Sequence, residues 1–292
     1  MEKIVLDKID SFDLKHIFDC GQCFRWNNEI DGSYTGIVYQ YVINIKNTEK
    51  NKVEVKFYAN ENITQKDMLE FCSKYFDLER DYKKIKQELS VIDENMKKSI
   101  DYGDGIRILN QDLWETVISY IISANNNIPR IKGIIENLSK NFGNKIEVEG
   151  KEYYTFPTPY QLSKATVSDL RQLGLGFRDI RVYETTQIFL NNKIEIENLG
   201  MKTTKKLKEI LISLPGVGPK VADCILLFSY LKRTEVFPVD VWIRRVINDL
   251  YLKCEDENKI NNKDIEKLAN EKFGDLAGIA QQYLYYWKRD QR

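Results

Sequence analysis

Apolar and polar positions change rhythm near residue 100. Over Tyr34–Tyr39, Tyr41–Ile45 and Val53–Tyr58, apolar residues alternate with polar ones, and Asn, Asp, Gly and Lys turns separate the runs. A two-residue period turns one face of a strand to a core, so this stretch predicts an antiparallel sheet with one covered face. Helical spacing follows at 64–74, 81–90 and 91–99. Beyond Asp101-Tyr-Gly-Asp-Gly105 strand signals nearly vanish, and the spacing predicts helices near 112–123, 127–141, 161–166, 168–172, 176–190, 203–213, 219–230, 240–249, 259–271 and 275–287. The fold class is therefore α+β, with an N-terminal antiparallel sheet domain carrying helices over 1–100 and a mostly helical region over 101–292. A chain of 292 residues supports two or three small domains. It has no internal repeat and no low-complexity linker.

One helical pair carries candidate chemistry. Leu207, Ile210, Leu211 and Leu214 recur at helical spacing, Pro215-Gly-Val-Gly218 breaks the helix, and Pro219 suits the first turn of the next. Val221, Ala222, Cys224, Ile225, Leu226 and Phe228 then form a buried face, with Lys220 near the start. The result is a helix-hairpin-helix unit over 203–230. Its glycine turn at Gly216 and Gly218 can hold a phosphate oxygen through backbone N–H groups, directly or through a structural cation at the backbone of Gly216 and Val221; it equally reads as a plain helix-helix corner. Further on, Phe237-Pro-Val-Asp240 precedes another apolar helical run, which makes Asp240 a helix cap. A helix that starts at Lys220 and returns through a short loop brings Asp240 to the same end as Lys220. An amine nucleophile and a carboxylate facing a cationic transition state then adjoin, and capping does not exclude that second role. Asn125-Asn-Asn-Ile-Pro-Arg130 is a poor helix interior and a good junction between helices, whose amides can cap Asn127's helix or enter a DNA groove.

Composition narrows the chemistry by exclusion. There are 44 basic and 44 acidic residues, so any polyanion must be met by local charge, with Lys202, Lys205, Lys206, Arg244 and Arg245 as candidates beside the ordinary reading of a solvated face. A single histidine makes His-based nuclease, zinc deaminase and serine-triad chemistry hard to build. The five cysteines are irregularly spaced, which argues for a reducing compartment rather than a disulfide scaffold, and Cys20-Gly-Gln-Cys23 lacks the second pair that a zinc site needs. Only Cys254 lies in the C-terminal part, so no iron-sulfur cluster is expected. No apolar run approaches the length of a membrane span and no leader pattern opens the chain; a cytoplasmic protein without membrane association is expected.

Taken in order, Gly21-Gln-Cys-Phe-Arg-Trp26, Asn125 to Arg130, Leu173-Gly-Leu-Gly-Phe-Arg178, Leu214 to Cys224, Pro238-Val-Asp240 and Ala277-Gly-Ile-Ala-Gln281 resemble the helix-hairpin-helix DNA glycosylases, and among them the 8-oxoguanine DNA glycosylase/AP lyases. The resemblance spans about residues 15 to 290. It implies a TBP-like N-terminal sheet packed on a helical glycosylase core. It assigns Lys220 as the amine nucleophile and Asp240 as the catalytic carboxylate. Gly21 is similar to the residue whose carbonyl reads the N7 hydrogen of 8-oxoguanine, Cys224 to a cysteine beside the flipped base, Gln281 to the glutamine on the base edge, and Tyr285 to a stacking wall often filled by phenylalanine. Asn125, Arg130 and Arg178 resemble the residues that hold the cytosine left on the opposite strand. Core packing for Cys224 and Tyr285, a turn for Gly21, and phosphate contact or solvation for the arginines are the blander readings of the same residues. Two positions depart from the family pattern: Trp242 replaces a histidine, removing any phosphate contact from that side chain, and Cys23 stands where serine is common. The implied activity is excision of 8-oxoguanine from duplex DNA, opposite cytosine, through a lysine Schiff base, followed by β-elimination. The expected enzyme is a monomer with no cofactor and no required metal. A related glycosylase for alkylated or mismatched bases and a non-catalytic DNA-binding protein are the alternatives.

Overall fold

The computed structural model describes residues 1–49, 51–59, 63–191, 196–256 and 259–291. Five antiparallel strands, β1 (Glu2–Asp7), β2 (Trp26–Asn28), β3 (Tyr34–Val38), β4 (Tyr41–Glu49) and β5 (Lys52–Tyr58), form one sheet in the order β1-β5-β4-β3-β2. The short helix α1 (Leu14–Phe18) separates β1 from β2, and α2 (Gln65–Tyr75) covers one face. The sheet's core is aromatic. Trp26 stacks on Phe18 with centroids 4.1 Å apart, and its indole N–H donates to the Tyr75 hydroxyl at 3.0 Å. A Cβ on Gly36 would lie 2.4 Å from the Trp26 ring, so this strand position must be bare for the indole to lie flat on it.

The helical region begins with α3 (Tyr82–Ser90) and α4 (Glu94–Tyr102), followed by α5 (Leu113–Ser123) and α6 (Ile128–Phe142). A hairpin, β6 (Lys145–Val148) with β7 (Lys151–Tyr154), leads to the one-turn helices α7 (Pro159–Leu162) and α8 (Val167–Leu170), and then to α9 (Asp179–Leu190). After it come α10 (Thr204–Ile212), α11 (Pro219–Phe228), α12 (Val241–Ile247), α13 (Asn262–Phe273) and α14 (Ala277–Arg289). The centre of this region is α5, whose Val117, Ile118, Ile121 and Ile122 are wholly buried. Packing crosses residue 100: Ile85, Leu89, Met96 and Ile100 belong to the helical core, whereas Leu109 returns to the sheet's core. Among the described residues no helix is long and apolar enough to cross a membrane.

Several elements differ from the pattern-based expectation. β1 and β2 escape it because β1 carries the unbroken apolar run Ile4-Val5-Leu6 and β2 has three residues, so neither shows alternation. The β6–β7 hairpin lies where strand signals were expected to vanish. Its outer face is charged, but Ile146 and Val148 pack on Ile37 and Val42 of the sheet, and Glu149 and Gly150 turn the chain with φ of +51° and +77°. The helix expected at 161–166 is instead α7, because Ser163 to Ala165 turn and Thr166 caps α8. The helix expected at 91–99 starts later, capped by Asp93. Part of the boundary expected near 259 adjoins residues outside those described.

The two cores meet along residues 20 to 26. Cys20 and Phe24 enter the helical core, and Cys23 and Trp26 enter the sheet's. Between them the buried Gln22 amide donates to the Ile17 carbonyl at 2.9 Å and to the Arg107 carbonyl at 2.7 Å, and accepts from Leu109 N–H at 2.8 Å. Arg107 in turn donates to the carbonyls of Ser11, Asp77 and Asp10 at 3.0, 2.8 and 2.7 Å.

Near this seam, burial pushes the Glu115 carboxyl up to about 7 against the attraction of Arg25, with Asp112 adding to the rise. Unfolded, a glutamate releases its proton near 4.5, so the folded state holds the extra proton between about 4.5 and 7 and stability falls as pH rises through that window. Glu115→Gln should therefore be more stable than the parent at pH 8, by up to about 3 kcal/mol at ~1.4 kcal/mol per pH unit. At pH 4 the difference should vanish. Urea unfolding at the two pH values measures this, and a difference independent of pH contradicts it.

Candidate active site

The glycine turn sets the start of α11. Gly216 has φ +85°, and a Cβ there would meet Arg181 at 2.9 Å; Gly218 is in extended backbone facing open space, so only the first glycine is required by conformation. Thr185 of α9 donates to the Pro215 carbonyl at 3.2 Å and seats the turn, while Lys208 of α10 reaches Asp223 of α11 at 2.9 Å and braces the hairpin. Gly218 offers no side-chain cap and Pro219 has no N–H, so the N–H groups of Lys220 and Val221 have no intrahelical acceptor. Asp240 caps α12, its carboxylate accepting from Ile243 N–H at 2.8 Å.

Six of the residues singled out in the sequence border one small cavity of about 60 Å³: Lys220, Asp240, Gly21, Cys224, Gln281 and Tyr285. Lys220 and Cys224 are a helical turn apart on α11. A charged Cys224 sulfur, and after it Asp240, would hold the Lys220 ammonium above its ordinary range, with burial opposing. Burial also pushes the Cys224 thiol up to about 11, so at neutral pH the sulfur is protonated and its charge is not available to the ammonium. The influences left there are desolvation, which favours the free amine, and Asp240, which favours the ammonium. Gln281 is buried; its amide donates to the Pro238 carbonyl at 3.4 Å, and its oxygen has no hydrogen-bond partner, which leaves a buried acceptor. Gly21, at φ +86°, lies against Tyr285, whose ring carbon is 3.5 Å from where a glycine Cβ would stand.

Asn125, Arg130 and Arg178 are grouped elsewhere, around the junction of α5 and α6. Asn125 is exposed with φ +50°, Asn127 caps α6, and Arg130 is exposed with a 3.4 Å bond to the Gly174 carbonyl. Arg178 is buried and donates to the carbonyls of Ala124 and Asn125, the Nε–Ala124 and Nη2–Asn125 bonds each measuring 2.8 Å. Trp242 is partly buried against the helical core.

Sequence reasoning missed Tyr120, Phe228 and Gln282 around the cavity and the exposed Phe177 beside Arg178. Tyr120 and Phe228 stack with centroids 5.8 Å apart, and their apolar helical spacing reads only as core. Phe177 was detectable, since it lies between Gly176 and Arg178 in a segment that carries part of the family resemblance; Arg178 and Arg181 lie over its ring at 4.2 and 5.2 Å. A larger cavity, about 700 Å³, opens near Tyr39, Phe71 and Tyr230, beyond the far end of α11 from Lys220. Its cations are engaged: Lys74 with Glu70, Arg80 with Asp77, and Lys232 with the carbonyls of Ile108 and Leu109.

The sequence matches the 8-oxoguanine DNA glycosylase N-terminal domain over residues 3–117 and the HhH-GPD superfamily of base excision DNA repair proteins over residues 118–273. It is 30% identical to a probable N-glycosylase/DNA lyase of Methanothermobacter thermautotrophicus, over 95% of this chain and 93% of that one, and 32% identical to the N-glycosylase/DNA lyase of Saccharomyces cerevisiae, over 93% and 82%. Among solved structures, the 8-oxoguanine glycosylase/lyase of Clostridium acetobutylicum, bound to duplex DNA with cytosine opposite 8-oxoguanine, superposes with a TM-score of 0.91 at 41% identity, over 99% of this chain and 96% of that one. Both segments match in order along one continuous fold, and on that ground the chain belongs to the HhH-GPD superfamily of base excision DNA repair proteins, with the N-terminal domain of its 8-oxoguanine DNA glycosylases.

Proposed function

We infer that this protein is a bifunctional DNA glycosylase that removes 8-oxoguanine from duplex DNA, opposite cytosine, and then cleaves the abasic strand. The observation that carries the reading is the meeting of Lys220, Asp240, Cys224 and Gly21 around one cavity, contributed by two helix starts and a loop of the N-terminal domain.

A base inside a duplex cannot reach such a cavity, so the lesion must leave the stack. The space of about 60 Å³ is well below the ~300 Å³ of small ligand pockets, and Tyr285 is the side chain lying against Gly21, so base entry requires the ring to move. Once the base is seated, the free-amine form of Lys220 attacks C1′ of the deoxyribose while the bond to the base breaks. The electron pair of that bond leaves with the base, and positive charge grows on the sugar. Asp240 stands where that charge develops. One of its oxygens is committed to Ile243 N–H, which fixes the carboxylate without neutralising it. The lysine–sugar adduct opens to an imine, loss of the C2′ proton follows, and the 3′ phosphate departs by β-elimination. The carbonyl of Gly21 distinguishes the lesion: 8-oxoguanine carries N7–H, a donor, where guanine has a bare acceptor.

Three measurements bear on this reading. Lys220→Gln should retain lesion binding and abolish the borohydride-trapped enzyme–DNA adduct, because an amide nitrogen forms no imine; an undiminished adduct removes Lys220 as the nucleophile. Asp240→Asn keeps the shape and much of the cap while removing the charge, so single-turnover excision should fall by roughly 10²–10³-fold, with a much smaller change in duplex affinity. Equal losses in rate and affinity would assign Asp240 to binding or folding. In a panel of duplexes carrying 8-oxoguanine, its 7-deaza form and guanine, the 7-deaza form should be excised roughly 10²-fold more slowly than the parent lesion, since a C–H replaces the N7 donor. Equal rates for the two would refute base reading through Gly21.

A further inference from the structure

The Gly21 carbonyl can discriminate only if it cannot turn away, yet glycine at φ +86° has the least intrinsic stiffness of any residue. Its direction must come from its neighbours. Three successive peptide planes run through this loop, and the outer two are held by side chains from elsewhere in the fold. In the first, the Cys20 carbonyl accepts from the Gln282 side-chain amide at 2.6 Å. The second contains the Gly21 carbonyl itself. In the third, the Gln22 carbonyl accepts from the Gln111 amide at 2.8 Å and the Tyr120 hydroxyl at 3.3 Å. The Cys20 thiol donates to the Ile17 carbonyl at 3.2 Å and ties down the residue before Gly21.

Peptide planarity carries these contacts to the plane between them. The Gly21 carbonyl plane shares its two Cα atoms with the held planes on either side, so its ends are fixed, and Gly21 and Gln282 both border the cavity. Gln282 is buried, lies one residue from Gln281, and bridges α14 to a loop of the N-terminal domain.

We propose that Gln282 is a positioning residue for lesion specificity: by holding the Cys20 carbonyl, with Gln111 and Tyr120 holding the Gln22 carbonyl on the other side, it aims the Gly21 carbonyl at N7 of the flipped base. This rests on the reading of Gly21 as the contact to N7–H. The parent protein controls for that reading, because failure to prefer 8-oxoguanine over guanine would remove the reading itself before any variant is compared. Gln282→Met keeps length and volume and removes the donor. Single-turnover excision of 8-oxoguanine should fall about tenfold relative to cleavage at a preformed abasic site, which has no base to read; this is the worth of one ordinary buried hydrogen bond. A parallel loss of both activities, or no change in their ratio, overturns the proposal. Should Gln282→Met show no cooperative thermal unfolding, Gln282→Glu supplies the test. Its carboxyl donates to the Cys20 carbonyl only when protonated, so the ratio of lesion excision to abasic cleavage, corrected for the parent's pH profile, should rise as pH falls. A corrected ratio flat with pH overturns the proposal as well.

Discussion

The structure depends on one buried amide residue, Gln22, being satisfied between two apolar cores. Gln22 is buried where the sheet's core and the helical core meet, and its side-chain and main-chain oxygens and amide protons are matched to groups from residues 17, 107, 109, 111 and 120. A buried amide left unpaired costs roughly 1–3 kcal/mol, so sliding one core against the other would strand several such groups together. Arg107 extends the constraint by tying three carbonyls of the N-terminal domain to the start of the helical region, its guanidinium lying 4.6 Å from the Tyr82 ring centroid. Apolar contact alone would allow such a slide. The directionality of hydrogen bonds does not, and Gly21, the residue before Gln22, inherits that fixity.

The same economy of groups operates at the cavity. Asp240 caps α12, and the catalytic role proposed for it asks for the same thing, a fixed oxygen at the start of a helix. Lys220 stands at another helix start, where the hairpin leaves backbone N–H groups without an intrahelical acceptor. Two helix starts border one cavity, which brings their positive dipole ends close to the Asp240 carboxylate. The net formal charge of zero is no obstacle, since binding of this kind is set by the local field.

Much of this was legible in the chain, for physical reasons that also mark where reading stops. The hairpin, Lys220 and the capping role of Asp240 could be read because glycine, proline and capping chemistry act over a few residues, and α10, α11 and α12 lie close to the expected spans. The β6–β7 hairpin could not, because its buried face is only Ile146 and Val148 among charged neighbours, and what buries them is Ile37 and Val42 more than a hundred residues away. Gln282 was invisible for the same reason. Beside Gln281 it reads as one more polar helix position, and its partner, the Cys20 carbonyl, lies 262 residues earlier.

Arg178 shows how placement alters the meaning of a residue type. In sequence it is one of three polar residues grouped as contacts to the opposite strand. In the fold it is buried, and its donors are spent on the carbonyls of Leu175, Ala124 and Asn125. A guanidinium with its hydrogen bonds satisfied by backbone has little left for a base edge unless it gives those bonds up. What it does achieve is local: it gathers the carbonyls on either side of the Ala124–Asn125 link and supports Asn125 at φ +50°, a conformation that asparagine tolerates better than most residues. The exposed groups around it are Asn125, Arg130 and Phe177. These are an amide, a cation and an aromatic ring, held over a loop whose shape Arg178 maintains, so any contact with the strand opposite the lesion falls to them before it falls to Arg178.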